Sequence, residues 1–182
     1  MAYVILDSSF ISRIRRIDRK CSLISLFADP YGASCVYHVQ QYKENPCHEQ
    51  NATPGCIDLE SLIDDDDVLE FSMNHIIDLS KISRDLVDIK IIFFASKESD
   101  VILLTCDGNL LEVCQRFSIG HYCFKAALEH LDKYYIGEIF NGQDYDTDLM
   151  HDPKGDDPFM HYKRNTRCAP CHAGKNCMIV YK

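Results

Sequence analysis

No apolar run in this chain approaches the ~20 residues that a membrane span requires, so no membrane-crossing segment is expected. A basic segment ahead of the first apolar stretch is missing too. The arginines follow that stretch instead, the wrong order for a secretory signal, which predicts a cytoplasmic protein. Without export, the ten cysteines read as reduced thiols rather than a disulfide framework. Cys21, Cys35, Cys106, Cys114 and Cys123 lie among apolar residues, where a thiol behaves as a small core hydrophobe. The run Asp64 to Asp67 lacks the glycine and spaced ligands of an EF-hand, which leaves a solvated helix start or connection rather than a calcium loop.

An excess of positive charge is also lacking, since the formal net charge is −9. The deficit is concentrated. Asp64 to Asp67 contribute −4 and residues 141–158 contribute −5, so the rest of the chain is neutral. Within that neutral part Arg13, Arg15, Arg16, Arg19 and Lys20 cluster on a segment whose Phe10, Ile11, Ile14, Ile17, Cys21 and Ile24 recur at helical spacing. Two readings of this basic face stay open, an ordinary solvated helix face and a phosphate-contacting surface.

What is present fits one domain with an appendage: 182 residues, 46% of them hydrophobic, are ample for a single core. The apolar run Tyr3 to Leu6 ends at Asp7, followed by Ser8 and Ser9 and then a helical pattern. A second such unit, Val101 to Cys106, ends at Asp107. In an open α/β sheet the carboxyl ends of strands gather at one crevice, so these distant aspartates are expected to become neighbours and to propose a metal site. Between them Ala33 to Val39 reads as a second strand after the turn Asp29 to Gly32, and residues 42–55 as a loop. Ile57 to Ile82 reads as one or two helices. Ser83 to Lys97 is ambiguous: Val87, Ile89, Ile91 and Phe93 alternate as in a strand, whereas the length and Ser83 favour a capped helix. As a helix it would place Asp85 and Asp88 on one face of the first turn, where the helix dipole tolerates carboxylates. Leu110 to Phe117 then reads as a helix, His121 to Phe124 as a short strand and Lys125 to Tyr135 as a final helix. Repeated βα order predicts a parallel sheet.

These residues resemble the PIN-domain nucleases over roughly residues 1–135. The stretch Val4 to Ile11 is similar to the family's opening strand, with Asp7 as its first metal-site acid. Asp88, with Ala95 seven positions on, is similar to the central helix, and Thr105-Cys106-Asp107 to the family's threonine-any-aspartate signature. Asn109 falls where many members carry a further acid. The pattern departs at the second acid, normally a glutamate after the second strand: Gln40 or Gln41 occupies that register, and Glu44 lies one helical turn further on. The resemblance implies a three-layer α/β/α sandwich with a central, mainly parallel sheet. It implies Asp7, Asp88, Asp107 and Glu44 as catalytic residues and Asp7, Asp88, Asp107 and Asn109 as the Mg²⁺ or Mn²⁺ site.

Hard divalent ions prefer such oxygen ligands. A metal there would orient a phosphodiester and lower the pKa of an attacking water, while clustered carboxylates without metal would leave at least one with a raised pKa. The expected activity is metal-dependent endoribonuclease cleavage of RNA, of toxin type with an antitoxin-like protein regulator or of RNA-processing type with a processing partner. The alternative is a non-catalytic PIN-like module that binds RNA or protein. A haloacid-type phosphatase would want an aspartate where Ser9 stands, and a receiver would want a mid-chain aspartate ending a strand, whereas Asp58 and Asp64 fall in no clear strand.

Residues 136–182 form an acidic linker and a Cys- and His-containing extension. Cys168 and Cys171 have a spacing that lets two thiolates share a zinc ion, with Cys177 third and His161 or His172 fourth. Because His172 adjoins Cys171, His161 is the preferred fourth ligand; free thiols on a surface loop are the other reading. The same Cys168 to His172 string matches covalent haem attachment, which usually follows export and is set aside. Met178 to Tyr181 is a candidate edge strand returning to the main sheet.

Overall fold

The computed structural model describes residues 2–17, 27–28, 31–38, 40, 56–124, 126–127 and 178–179. Among these, five parallel strands form the body of one sheet: β1 (Tyr3–Leu6), β2 (Ser34–Tyr37), β3 (Cys56–Asp58), β4 (Val101–Leu104) and β5 (Gly120–Tyr122). Their order is β3-β2-β1-β4-β5, and β6 (Met178–Ile179) closes the β5 side antiparallel. The edge strand expected from Met178 onward is therefore present at its first two residues. Among the described residues, four helices with both ends in view accompany the strands: α1 (Ser8–Ile17), α2 (Asp65–Asn74), α3 (Leu86–Lys97) and α4 (Gly108–Arg116). The result is the mixed α/β class that the βα order predicts.

Alternation along the strands divides the core. Val4 and Leu6 join Phe10, Ile11 and Ile14 of α1, with Phe27 and Phe124, in one buried cluster. Ile5 and Val36 join the apolar residues of α3 and α4 in a second. Edge-to-face packing of Phe10 on Phe27 and on Phe124, at centroid distances of 5.1 and 5.2 Å, organises the first.

Two expectations are corrected. Residue 57 does not begin a helix: Ile57 lies within β3, a 3₁₀ turn follows at Leu59–Ser61, and α2 starts only at Asp65. Asp64 caps α2 by accepting from the Asp66 amide, so the acidic run is a helix start, where carboxylates face the positive end of the dipole. The ambiguous segment after Ser83 is a helix, but Asp85 rather than Ser83 caps it. Its alternation misleads because α3 is buried on nearly every side: Val87 and Ile89 through Ala95 are all buried. A helix apolar all round has no stripe to mark its period. Its buried charge, Lys90, is held by Glu60 at 2.8 and 3.0 Å and by Asp65 at 2.8 Å. Burial pulls the Lys90 pKa down, yet its hydrogen bonds to Asp65 and Glu60 outweigh burial and leave it raised.

Candidate functional site

A single residue, Asp7, separates β1 from α1, and α4 starts soon after β4, so both amino termini sit at the carboxyl edge of the sheet. Leu6 pairs with Leu104, and the Asp7 amide donates to the Leu104 carbonyl at 3.0 Å, which brings Asp7 beside Thr105. The strand order makes this a topological switch point: β1 connects outward to β2, while the chain returns from β3 to place β4 on the other side of β1. Open α/β sheets bind ligands in the crevice at such a point.

Asp7 is buried, 2% exposed, and its Oδ2 accepts from the Ser9 hydroxyl, from the Ser9 amide at 3.2 Å and from Thr105 Oγ1 at 2.7 Å. Both hydroxyls are aimed by the backbone. Ser9 Oγ accepts from the Cys106 amide at 2.9 Å, and Thr105 Oγ1 accepts from the Asp107 amide at 3.0 Å. Each hydroxyl proton is thereby turned toward the carboxylate. Burial raises the Asp7 pKa; hydrogen bonds from Ser9 and Thr105 counter it, and the Asp107 charge adds to the rise. Burial is thus the main reason that this carboxylate is raised, with the Asp107 charge a lesser one.

Asp107 is exposed and caps α4, accepting from the Asn109 amide at 2.7 Å and the Leu110 amide at 3.2 Å. Asp85 caps α3 through the Val87 and Asp88 amides at 3.0 and 3.3 Å. Asp88, Asp107 and Asn109 meet, with Asp85, Ser83, Lys81 and Arg84, around an opening of about 490 Å³ between the start of α3 and the start of α4. Asp7 does not line this opening. It lies close enough to raise, together with Asp88, the pKa of the buried Cys114 thiol, whose main cause is burial. Asp7, Asp88, Asp107 and Asn109 are thus brought to one region. Among the described residues, however, no three His, Cys, Asp or Glu side chains are grouped closely enough to hold a metal ion together.

Glu44 and Gln41 lie outside the described residues, as do the proposed zinc ligands Cys168, Cys171, Cys177 and His161 and the alternative His172. The side chains of Arg13, Arg15 and Arg16 do so as well. The described part of the second-strand edge presents a different set of groups. His38 follows β2 and is buried; its Nδ1 accepts from the Gln40 amide at 3.0 Å, which leaves Nε2 to donate to Glu60. Glu60 is held below the usual carboxylate range, first by the Lys90 hydrogen bond and then, against the opposing effect of burial, by His38. Sequence reasoning missed this His38–Glu60–Lys90 network, because its members come from the residue after β2, a turn after β3 and the interior of α3. It also missed Arg84 and Lys81, whose turn carries no motif. Asp58 does end a strand, contrary to the reading that placed it in none. Its strand is the sheet edge, away from the switch point, and its side chain accepts from the Glu60 amide, which leaves the receiver-type site no better founded.

No helix among the described residues is long and apolar enough to cross a membrane. Comparison with protein-family models, with curated proteins and with solved structures returned no match.

Proposed function

We propose that the carboxyl edge of the sheet is the active site of a metal-dependent endoribonuclease similar to the PIN-domain nucleases, acting on RNA phosphodiester bonds. The observation that carries this reading is that Asp7 and Asp107 follow the neighbouring strands β1 and β4 at the switch point, with Asp107 and Asp88 lining one opening. The two core clusters, drawn from alternate residues of β1, support a three-layer sandwich.

The donor set fits a hard cation. All four groups, including the Asn109 amide, offer oxygen, and Mg²⁺ takes only one or two carboxylates directly while keeping several waters. Asp88 and Asp107 at the opening can therefore serve without Asp7 closing a three-ligand cluster. Bound there, Mg²⁺ or Mn²⁺ would supply a lowered water pKa and charge neutralisation on the phosphate. Asp7, locked by Ser9 and Thr105, would fix the negative potential behind the opening. Arg84 and Lys81 at its rim would receive phosphate oxygens.

A specific observation favours a second reading, a non-catalytic module that binds RNA or protein. Asp85 and Asp107 cap helices, and Asp7 accepts from the Ser9 amide at the start of α1, so helix termini alone account for part of the acid pattern. Cleavage of labelled RNA by the purified chain with Mn²⁺ or Mg²⁺ separates the two. Metal-dependent cleavage by the wild type that is lost in Asp7→Asn supports the enzyme; equal cleavage by both, or none by either, contradicts it.

A further inference from the structure

Among the described residues β3 is the outermost strand on its side of the sheet, and its first residue, Cys56, is the Cα partner of Cys35 in β2. Neighbouring strands lie about 4.8 Å apart, inside the roughly 4.4–6.8 Å Cα separation that a disulfide spans. Paired residues of parallel strands project to the same face, and both cysteines belong to the α1-side core. Cys56 lies near enough to Cys35 to be the first cause of the rise in its thiol pKa. The two differ in access: Cys35 is 2% exposed, whereas Cys56 is half-buried on the edge strand.

We propose that Cys35 and Cys56 form a reversible dithiol–disulfide pair, closed by exchange with a low-molecular-weight disulfide. The assignment goes beyond the nuclease reading and needs neither RNA nor metal. The nearby Cys56 and burial push the Cys35 thiol well up, so the more accessible Cys56 is the attacking sulfur. Its thiolate attacks one sulfur of the small disulfide, breaks that S–S bond, forms a mixed disulfide and releases one small thiolate. Cys35 then loses its proton and its sulfur attacks the Cys56 sulfur, expelling the second small thiolate. The two protein thiols are oxidised, one small disulfide is reduced to two thiols, and the two protons pass to the released thiolates.

The bridge would join both ends of residues 36–55. That segment carries His38, which orders Glu60, and Glu44, which the family resemblance marks as the remaining acid. Thiol pairs of this kind in reducing compartments are characteristically transient and redox-sensing.

The test uses the reduced full chain, exposed to glutathione disulfide, quenched in acid, blocked with N-ethylmaleimide, digested and mapped by mass spectrometry. A peptide linking Cys35 to Cys56, lighter by two hydrogens than the reduced pair and abolished by dithiothreitol, is the expected result. Cys56→Ser should lack it. Recovery of both cysteines in blocked form, a lasting glutathione adduct on Cys56, or its linkage to any other cysteine would overturn the proposal. The wild-type peptide decides the matter even if a variant folds poorly.

Discussion

Keeping a carboxylate charged inside a protein is unfavourable unless its partners compensate, and at Asp7 they compensate only in part. Ser9 and Thr105 donate to it, yet burial and the nearby Asp107 leave its pKa raised. The sign of the consequence follows. The folded state holds the Asp7 proton more tightly than the unfolded chain, whose Asp value is about 3.9. Asp7 therefore contributes its full stability below that pH and loses it as pH rises through the folded pKa. Asp7→Asn keeps an oxygen that can accept from Ser9 and Thr105 but removes the charge. Without divalent metal it should raise the melting temperature at pH 7, by about 2–4 °C for each ~1 kcal/mol of relieved strain. The gain should shrink toward zero as pH approaches ~3. Thermal denaturation at both pH values checks this, and a variant that melts lower than wild type at pH 7 would contradict it. Stabilisation on removing a site charge is the trade-off expected where a group is kept for function rather than for folding.

At the scale of elements, an aspartate accepts from the first turn of each of the four described α-helices of eight or more residues: Asp7 for α1, Asp64 for α2, Asp85 for α3 and Asp107 for α4. Asp85 serves the longest of the described helices, which carries Asp88. Asp85→Ala should cost about 1 kcal/mol and Asp85→Asn almost nothing, because the amide oxygen still caps. Urea denaturation of the two variants measures the difference; equal losses would show that the charge, not the cap, matters. The same elements show what could be read from letters. β1, β2 and β4 were legible because each is a short apolar run closed by a turn or an acid, and α4 because its apolar residues form one stripe. β3 was not, since three half-buried residues joined to a 3₁₀ turn carry neither period. Asp7, Asp88, Asp107 and Asn109 were legible as a pattern of strand ends and helix starts. The Glu60–Lys90–His38 network was not, because only the folded sheet brings those positions together, and a buried lysine inside an apolar helix looks like a break in the pattern.

For the molecule as a whole, topology carries the functional argument. Five parallel strands in the order β3-β2-β1-β4-β5 create one switch point, with Asp7 directly after β1 and Asp107 three residues after β4. Net charge adds a constraint. A chain at −9 repels RNA at long range, so the proposed nuclease needs local cations, from the Arg13 to Lys20 segment, from Arg84 and Lys81, or from divalent metal. The most direct measurement is the rate of labelled-RNA cleavage as a function of Mn²⁺ concentration, for the full wild-type chain and for Asp107→Asn, whose side chain still caps α4. Cleavage that saturates with Mn²⁺ in the wild type and falls by at least about 10²-fold in the variant is the predicted result. Equal rates in the two proteins, or wild-type cleavage that persists undiminished in EDTA, would contradict a metal-dependent site at this edge.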